Sequence, residues 1–553
     1  MSRNPLFVVV ATLALLAGGA SAQSVDLEAL NRIRAEALER SQVMELADHL
    51  TNRIGARLTG SPSLREANAW ARSKLTEWGL AQVRDEPFEF GEGWSFSSCS
   101  VRMVAPAELP LAALPEAWTP GTEGVVRGEA VRVELADDED LEQQKGKLAG
   151  KVVFLDEARG DKPLERMDDA DFERYDDARL EGLTEIEIEE PGEGYRARLR
   201  KRIAMAEKRE RFLAEEGVVA TVELSSRNFG ILRLGGKSWL RDPERPRGVP
   251  ALVMAVEPYQ RILRLLEAGE TVELELAVAA RYHGDDPMAY NTIAEIPGGD
   301  RRSEVVIAGA HLDSWHAGTG ATDDGAGSAV VLEAARILKA IGLVPRRTIR
   351  FALWGGEEQG LLGSRAYVES HVADRPEATD PEQLALPVWL RDETWPIRTR
   401  AEHGRISAYY NIDNGGGRIR GIYTQGNVAV APIFQSWLAP LADLGATTVT
   451  NRSTGSTDHV PFDRVGVPGF QFVQDPLDYF PHTHHTNLDT FERLKREDLV
   501  QSSIVLAAFL WQTANRSELL PRKPMPQAPA KPAGGAGGEG QPADPKGAGG
   551  GSH

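Results

Sequence analysis

Cysteine is almost absent: Cys99 is the single one in 553 residues. One thiol excludes an internal disulfide, and its place in the chain excludes a lipid-modified cysteine at a leader cleavage point. Long apolar runs are also missing. The run at 6–17 has about twelve residues, too few to cross a bilayer, and no later stretch is long enough either. Positive charge is in deficit, with 63 Lys and Arg against 82 Asp and Glu for a net charge of −19. Such a surface repels nucleic acid and anionic lipid, so neither is expected as a partner. No Gly-x-Ser-x-Gly elbow occurs and Cys99 has no motif around it, which leaves a serine or cysteine nucleophile without its usual setting.

What is present describes a globular protein of more than one lobe, 41% apolar and 26% charged. Arg3, the apolar run and Ala20-Ser21-Ala22 form a secretory leader over 1–22, so the mature protein is expected in the periplasm or outside the cell with no stable membrane anchor. Residues 27–50 have helical periodicity, and a turn-rich segment at 52–62 leads into another helix; together 27–120 is expected to open the main domain. Short β-rich runs at 125–135, 151–155, 249–256 and 271–281 mark an inserted domain over 121–282. Within it a highly charged stretch, 161–216, is expected to be a solvated helical excursion. From 283 to 516 strand and helix alternate, which predicts an α/β domain of three layers with a largely parallel sheet. Its strands are expected at 304–310, 348–354, 406–412 and 469–473, with the clearest helix at 325–340. The Pro- and Gly-rich end, 520–553, is expected to be disordered.

Chemistry-bearing residues cluster just past those strand ends, where open α/β sheets place their sites. The first strand runs into His311-Leu312-Asp313, in which Asp313 can fix the tautomer of His311. A Gly-rich turn carries Asp323 and Asp324 into a helix start, where Asp324 can simply serve the helix terminus. The second strand leads to Glu357-Glu358, whose side chains can point in different directions. The third ends in Asp413-Asn414-Gly415. A cluster of three histidines, His482, His484 and His485, follows the last strand, and Asp458 lies in a loop upstream. Each motif alone also has a plain structural explanation. In this order, two histidines and three carboxylates suit two borderline cations such as zinc, which lower the pKa of a shared water and polarise a scissile carbonyl.

The set His311-Leu312-Asp313-Ser314-Trp315, Ala321-Thr322-Asp323-Asp324-Gly325 and Trp354-Gly355-Gly356-Glu357-Glu358-Gln359-Gly360 resembles the co-catalytic zinc aminopeptidase and glutamate carboxypeptidase family. The resemblance covers roughly 46–514 and implies two Zn ions per chain: Asp323 bridges both, His311 and Asp413 complete one site, and Glu358 and His485 complete the other. It assigns Glu357 as general base, and Asp313, through its hold on His311, is expected to be the second catalytic residue. Thr486 and Asp489 fit the spacing after the last ligand, with His484 one position away as the rival. It also implies a cis peptide between Asp323 and Asp324, and it likens the inserted domain to a protease-associated domain.

The implied function is a metallo-exopeptidase that cleaves terminal bonds of peptides or dipeptides through a metal-bridged water. Two alternatives share the fold: a single-zinc glutaminyl-cyclase-like acyltransferase lacking the first histidine, and a catalytically silent receptor-like relative. The peptide end that is trimmed and the oligomeric state are not legible. Trp315, His316 and Tyr479 are candidates for lining the pocket, though aromatic residues at strand ends more often serve packing.

Overall fold

The computed structural model describes residues 25–155, 173–185, 195–237, 241–384 and 386–529. The leader expected at 1–22 and the tail beyond 529 lie outside these residues, as do parts of the charged excursion.

The body that carries the motifs is built on an eight-stranded sheet. Its order is Ala81–Glu89, Met288–Ile296, Arg347–Trp354, Arg301–His311, Ile406–Asn411, Gly469–Gln474, Ile419–Tyr423 and Thr448–Thr450. The four strands from Arg347–Trp354 to Gly469–Gln474 run parallel. Toward the edges, three pairings are antiparallel. The sheet is therefore mixed rather than largely parallel. Residues 297–300 are one cause, since so short a link cannot make a parallel crossover and must reverse the chain.

Both faces of the sheet are covered. Along Arg301–His311, Val306, Ala308 and Ala310 pack into one core with the helices Leu27–Arg40, Ala326–Ala340 and Arg496–Asn515. Val305 and Ile307 pack into another with Tyr367 and Phe462. Period-two alternation between two buried faces explains why these strands read as near-continuous apolar runs. The helical stretch expected at 27–50 divides into Leu27–Arg40 and Val43–Asp48, because Ser41 is extended at φ −61° and ψ 133°.

A second eight-stranded sheet has the order Leu109–Pro110, Gly93–Ala105, Glu273–His283, Val126–Arg132, Lys151–Phe154, Ala220–Leu224, Ala251–Met254 and Ala113–Pro115. It has its own core, including Met103, Val152, Phe154, Tyr259 and Ile262. The sheet begins earlier than the expected boundary at 121, since Gly93–Ala105 pairs with Glu273–His283 along its whole length. Four serines within Gly93–Ala105 dilute its apolar pattern and hide the strand in the sequence.

The charged stretch also departs from the solvated excursion expected of it. It contains the helices Asp177–Gly182 and Tyr195–Glu215, but residues 173–185 lie against the first body. Arg174 reaches Asp475 at 2.9 Å and Asp498 at 2.7 Å, two carboxylates with no exposed surface. Arg420 and Arg418 bind the same two acids. Glu173 and Leu477 exchange backbone hydrogen bonds of 3.1 and 2.8 Å. At the other end of the chain, residues 520–523 are packed against the first body, contrary to the disorder expected from 520. Leu520 is buried, Arg522 donates to the carbonyls of His403 and Ile406, and Lys523 pairs with Asp463. Among the described residues, no helix is long and apolar enough to cross a membrane.

Replacing Arg174 with Met removes one of two arginines from each buried carboxylate. Unfolding free energy in urea is expected to fall by about 2 kcal/mol, with faster proteolysis within 173–185. An unchanged midpoint would mean that Arg418 and Arg420 suffice.

Candidate metal centre

Three parallel strands end at one level. His311 pairs with Trp354 and Gly309 with Asn411, so the residues that follow each strand meet in one crevice. His311 closes its strand. The acidic turn 321–325 precedes the helix Ala326–Ala340, with Asp323 and Asp324 joined by a cis peptide. Glu357 and Glu358 follow Trp354, Asp413 follows Asn411, and His484 and His485 come from the segment after Gly469–Gln474.

Asp323 stands at the centre. Its Oδ1 lies 3.2 Å from His311 Nε2, which is itself 3.5 Å from Asp413 Oδ1. Its Oδ2 lies 3.3 Å from His485 Nε2, which is 3.1 Å from Glu358 Oε2. Atoms bound tetrahedrally to zinc at about 2.0–2.1 Å lie about 3.3–3.4 Å from each other, so both groups have the spacing of a metal's ligand shell. His484 Nε2 is farther from Asp323, at 3.9 Å. Although Asp323, His484 and His485 also form a compact group able to hold an ion, the shorter contacts favour His485.

Two buried oxygens, Asp323 Oδ2 and Glu358 Oε1, have no hydrogen-bond partner. Burial and neighbouring carboxylates push the Glu357 and Glu358 carboxyls well above their ordinary range, although His311 works against this. The His311 imidazole would be lowered by burial, yet Asp413, Asp313 and Asp323 raise it well above its usual value. Burial lowers His485 to about 4, which leaves a neutral ring nitrogen. Such crowding of acids around two imidazoles, with orphaned oxygens, fits divalent cations.

Other residues fix this arrangement. The expected contact between the Asp313 carboxylate and His311 is long, 3.7 Å, because the Asp313 backbone carbonyl accepts from His311 Nδ1 at 2.9 Å instead. The Asp313 carboxylate accepts from the amides of Glu357 and Glu358 at 3.3 Å and from Thr59 Oγ1 at 2.8 Å. It thereby positions the Glu-Glu turn. Asp324 accepts from the Gly327 amide at 3.0 Å, serving the helix start. A Cβ at Gly327 would lie 2.4 Å from that carboxylate, so glycine is required there. Asp489 accepts from the amides of Thr322 and Asp323, and burial raises its carboxyl to about 7. Asp458, also raised by burial to about 7, accepts from Ser364 Oγ at 2.5 Å.

Arg57 and Thr59 reach the centre without having stood out in the sequence; a turn-rich segment gives no sign that its arginine is buried. Trp315 packs edge-on against Trp118 and tilts over His485 at 6.0 Å. Tyr479 lies against His484. His316 instead belongs to packing: it is buried between Trp94 and Phe96, and its Nε2 donates to the carbonyl of Pro115 at 2.8 Å. A cleft beside the centre is lined by Trp315, Gly320, Asp323, His485 and Thr486.

Known proteins resemble the chain in sequence and fold. Residues 291–510 match the model of peptidase family M28. Carboxypeptidase Q of Rattus norvegicus is 26% identical over 475 residues, covering 86% of this chain and 85% of that protein. The crystal structure of a peptidase M28 precursor from Shewanella amazonensis superposes with a TM-score of 0.62 at 26% identity, covering 91% of this chain and 99% of the other. BSAP, a zinc aminopeptidase from Bacillus subtilis, shares the fold with a TM-score of 0.54 at 17% identity, covering 86% and 95% of the two chains.

His316 supplies a test of the packing between the two sheets. Burial lowers its imidazole from 6.5 to about 4. Below pH 6.5 the unfolded chain takes up a proton that the folded ring refuses, so stability falls as pH drops toward 4, by about 3 kcal/mol for this group. His316→Gln keeps a donor for Pro115 and is expected to flatten the stability profile over that window in denaturation at a series of pH values. An unaltered profile would show that His316 already carries a proton when folded.

Proposed function

We propose, from the premise that the chain belongs to peptidase family M28, that it is an exopeptidase working with two zinc ions. The observation that carries this reading is the division of Asp323: each of its oxygens faces a separate pair of one histidine and one carboxylate. His311, Asp323 and Asp413 would hold one ion, and Asp323, Glu358 and His485 the other. When bound, the two ions would acidify water and polarise the scissile carbonyl. A single-zinc acyltransferase of the cyclase type lacks the first histidine, whereas His311 here completes a second group. A receptor-like relative that has lost its ligands is equally hard to reconcile with five filled positions.

The chain's own residues then have distinct tasks. Glu357 is buried next to His311 and Asp413, and burial raises its carboxyl, as suits an acceptor for a proton from water. It receives that proton on a carboxylate oxygen and passes it to the leaving amine as the C–N bond breaks. Asp313 keeps Glu357 in place through the amide of that residue. Trp315 covers one side of the cleft and limits access of bulk water. The domain of the second sheet, read as a protease-associated-like insertion, backs the cleft through Trp118 against Trp315 rather than supplying chemistry. A peptide is the substrate, and the leader-like 1–22 supports an exported enzyme.

Plasma emission on the purified mature protein is expected to give about two zinc per chain, with peptide cleavage lost on chelation. Glu357→Gln is expected to retain the metal and lose about 100-fold or more of turnover. Asp323→Ala is expected to lose metal and activity together. Full turnover in the Glu357 variant would remove it as the base, and one zinc without hydrolysis would turn the reading toward an acyltransferase.

A further inference from the structure

Chain that belongs to the second sheet's domain grips the histidine loop at three points. At the start of the loop, Glu173 and Leu477 form an antiparallel bridge and exchange both backbone hydrogen bonds, at 3.1 and 2.8 Å. Midway, Arg227 donates to the Phe480 carbonyl at 2.8 Å. At the end, the Leu234 amide donates to the His485 carbonyl at 2.9 Å. The first grip is the most heavily built. Arg174 reaches both Asp475 and Asp498, and the Tyr175 amide donates to Asp475 Oδ1 at 3.0 Å. Arg420 donates to the same oxygen at 3.0 Å and to the Tyr175 carbonyl at 2.8 Å. Farther along the segment, Arg452 donates to the Gly182 carbonyl at 2.8 Å.

Leu477 stands where that first grip meets the loop. It is buried, and its φ of 47° is left-handed, a region that a residue with a Cβ seldom enters. The bridge to Glu173 takes up both its N–H and its carbonyl, and so holds it in that conformation. The turn that follows is laid out from there. The Tyr479 amide donates to the Pro476 carbonyl, the His482 and Thr483 amides to that of Asp478, and the His484 amide to that of Tyr479. Rotation at Leu477 therefore swings the whole turn, and with it His485, whose Nε2 lies 3.1 Å from Glu358 Oε2. Asp413 is held in another way. Gln471 Nε2 donates to its carbonyl at 3.0 Å and Gln474 Nε2 to that of Gly415 at 2.7 Å, both from the strand Gly469–Gln474. His311 closes a strand of the same sheet, and Ser328 Oγ donates to its carbonyl at 2.7 Å.

The two ligand groups thus differ in what keeps them together. We propose that Glu173-Arg174-Tyr175 is a clasp that positions His485: the group of Asp323, Glu358 and His485 is complete only while the clasp is fastened, whereas the group of His311, Asp323 and Asp413 is held by the first body's own chain. The proposal rests on the two-zinc reading and deepens it, by making the retention of one ion depend on the docking of the second sheet's domain. Arg174 touches neither ion nor substrate. It is a positioning residue that acts through Asp475 and Leu477. Charge rather than apolar contact fastens it, because opening the clasp leaves each of two fully buried carboxylates with one arginine fewer.

The test titrates zinc into the metal-free full chain and follows binding by calorimetry. Arg174→Met is expected to weaken one of the two zinc constants on the order of 10-fold and to leave the other unchanged, with Arg174→Lys recovering part of the loss. A second substitution identifies the site. In a His485→Ala chain, Arg174→Met is expected to have no further effect on zinc, while in an Asp413→Ala chain the loss is expected in full. Hydrogen exchange on the metal-free chain gives a readout that needs no ion: the amides of 479–485 are expected to exchange faster in Arg174→Met, with those of 306–311 unchanged. Should Arg174→Met fail to fold, Glu173→Pro removes one bond of the bridge, leaves both buried acids matched and is read in the same way. Weakening of both constants alike, of neither, or of the ion that remains in the His485→Ala chain overturns the clasp and leaves the two-zinc reading intact. Binding of a single zinc by the wild type sinks the two-zinc reading instead. Exchange then decides the clasp by itself: faster exchange confined to 479–485 supports it, and unchanged exchange overturns it.

Discussion

Arg57 is fully buried, and its guanidinium donates to the backbone carbonyls of Leu50, Gly55, Leu312, Thr319 and Gly320. Burial lowers it to about 10, while Asp489, Asp313, Asp324 and Asp323 act to raise it. An unsolvated cation of this kind persists because its donors are satisfied and because acids surround it at slightly longer range. Its five acceptors belong to three separate parts of the chain: the end of the N-terminal helices, the turn after His311 and the approach to the acidic turn. A single side chain thus sets the distance between the two motifs that supply His311 and Asp323. Gly320 belongs to the same constraint, since its φ of 62° is left-handed and a Cβ there would come within 2.4 Å of Ser314.

Around that cation the structure divides work between side chains that face the crevice and side chains that hold them. Asp313 spends both oxygens on the backbone of Glu357 and Glu358, and Asp489 spends its own on the backbone of Thr322 and Asp323. Carboxylates are well suited to this, because each accepts several amide bonds in fixed directions. His485 adopts φ 63°, an uncommon conformation for a residue with a side chain, and its carbonyl is held by the amide of Leu234, from a loop of the second sheet's domain. The two domains therefore meet beside the centre, through Leu234 on one side and His316 on another.

The motifs were legible because they sit at strand ends, where a run of apolar residues stops at an acid or a histidine. His311, Glu358 and Asp413 announce themselves in this way, whereas Asp323 lies in a turn before a helix and His485 in a turn beyond the last strand, and only the fold shows how near they come to one another. The role of Asp313 was half legible: the spacing suggested a partner for His311, while a backbone carbonyl takes that part and releases the carboxylate for the next turn. Arg57 and Thr59 left no mark. Their importance arises from partners far along the chain, and a lone polar residue in a loop reads the same whether it meets solvent or a buried carbonyl. Sheet organisation was hidden for a similar reason. Period-two alternation finds a strand such as Lys151–Phe154, but it does not find the serine-rich Gly93–Ala105 or say which edge reverses direction. Arg174 was lost among neighbouring charges, because the two buried acids that bind it are about three hundred residues away.

The distribution of the centre along the chain has a consequence for the timing of synthesis. Arg57 lies near the beginning, His485 near the end, and the helix Arg496–Asn515, which covers one face of the sheet, comes later still. Translation at about 5–20 residues per second leaves the early segments waiting on the order of half a minute for these partners. During that time the sheet has no complete cover and the ligand set lacks a member. The five residues grouped around Asp323 can therefore come together only after the chain has passed His485, and the cover supplied by the last helix comes later still.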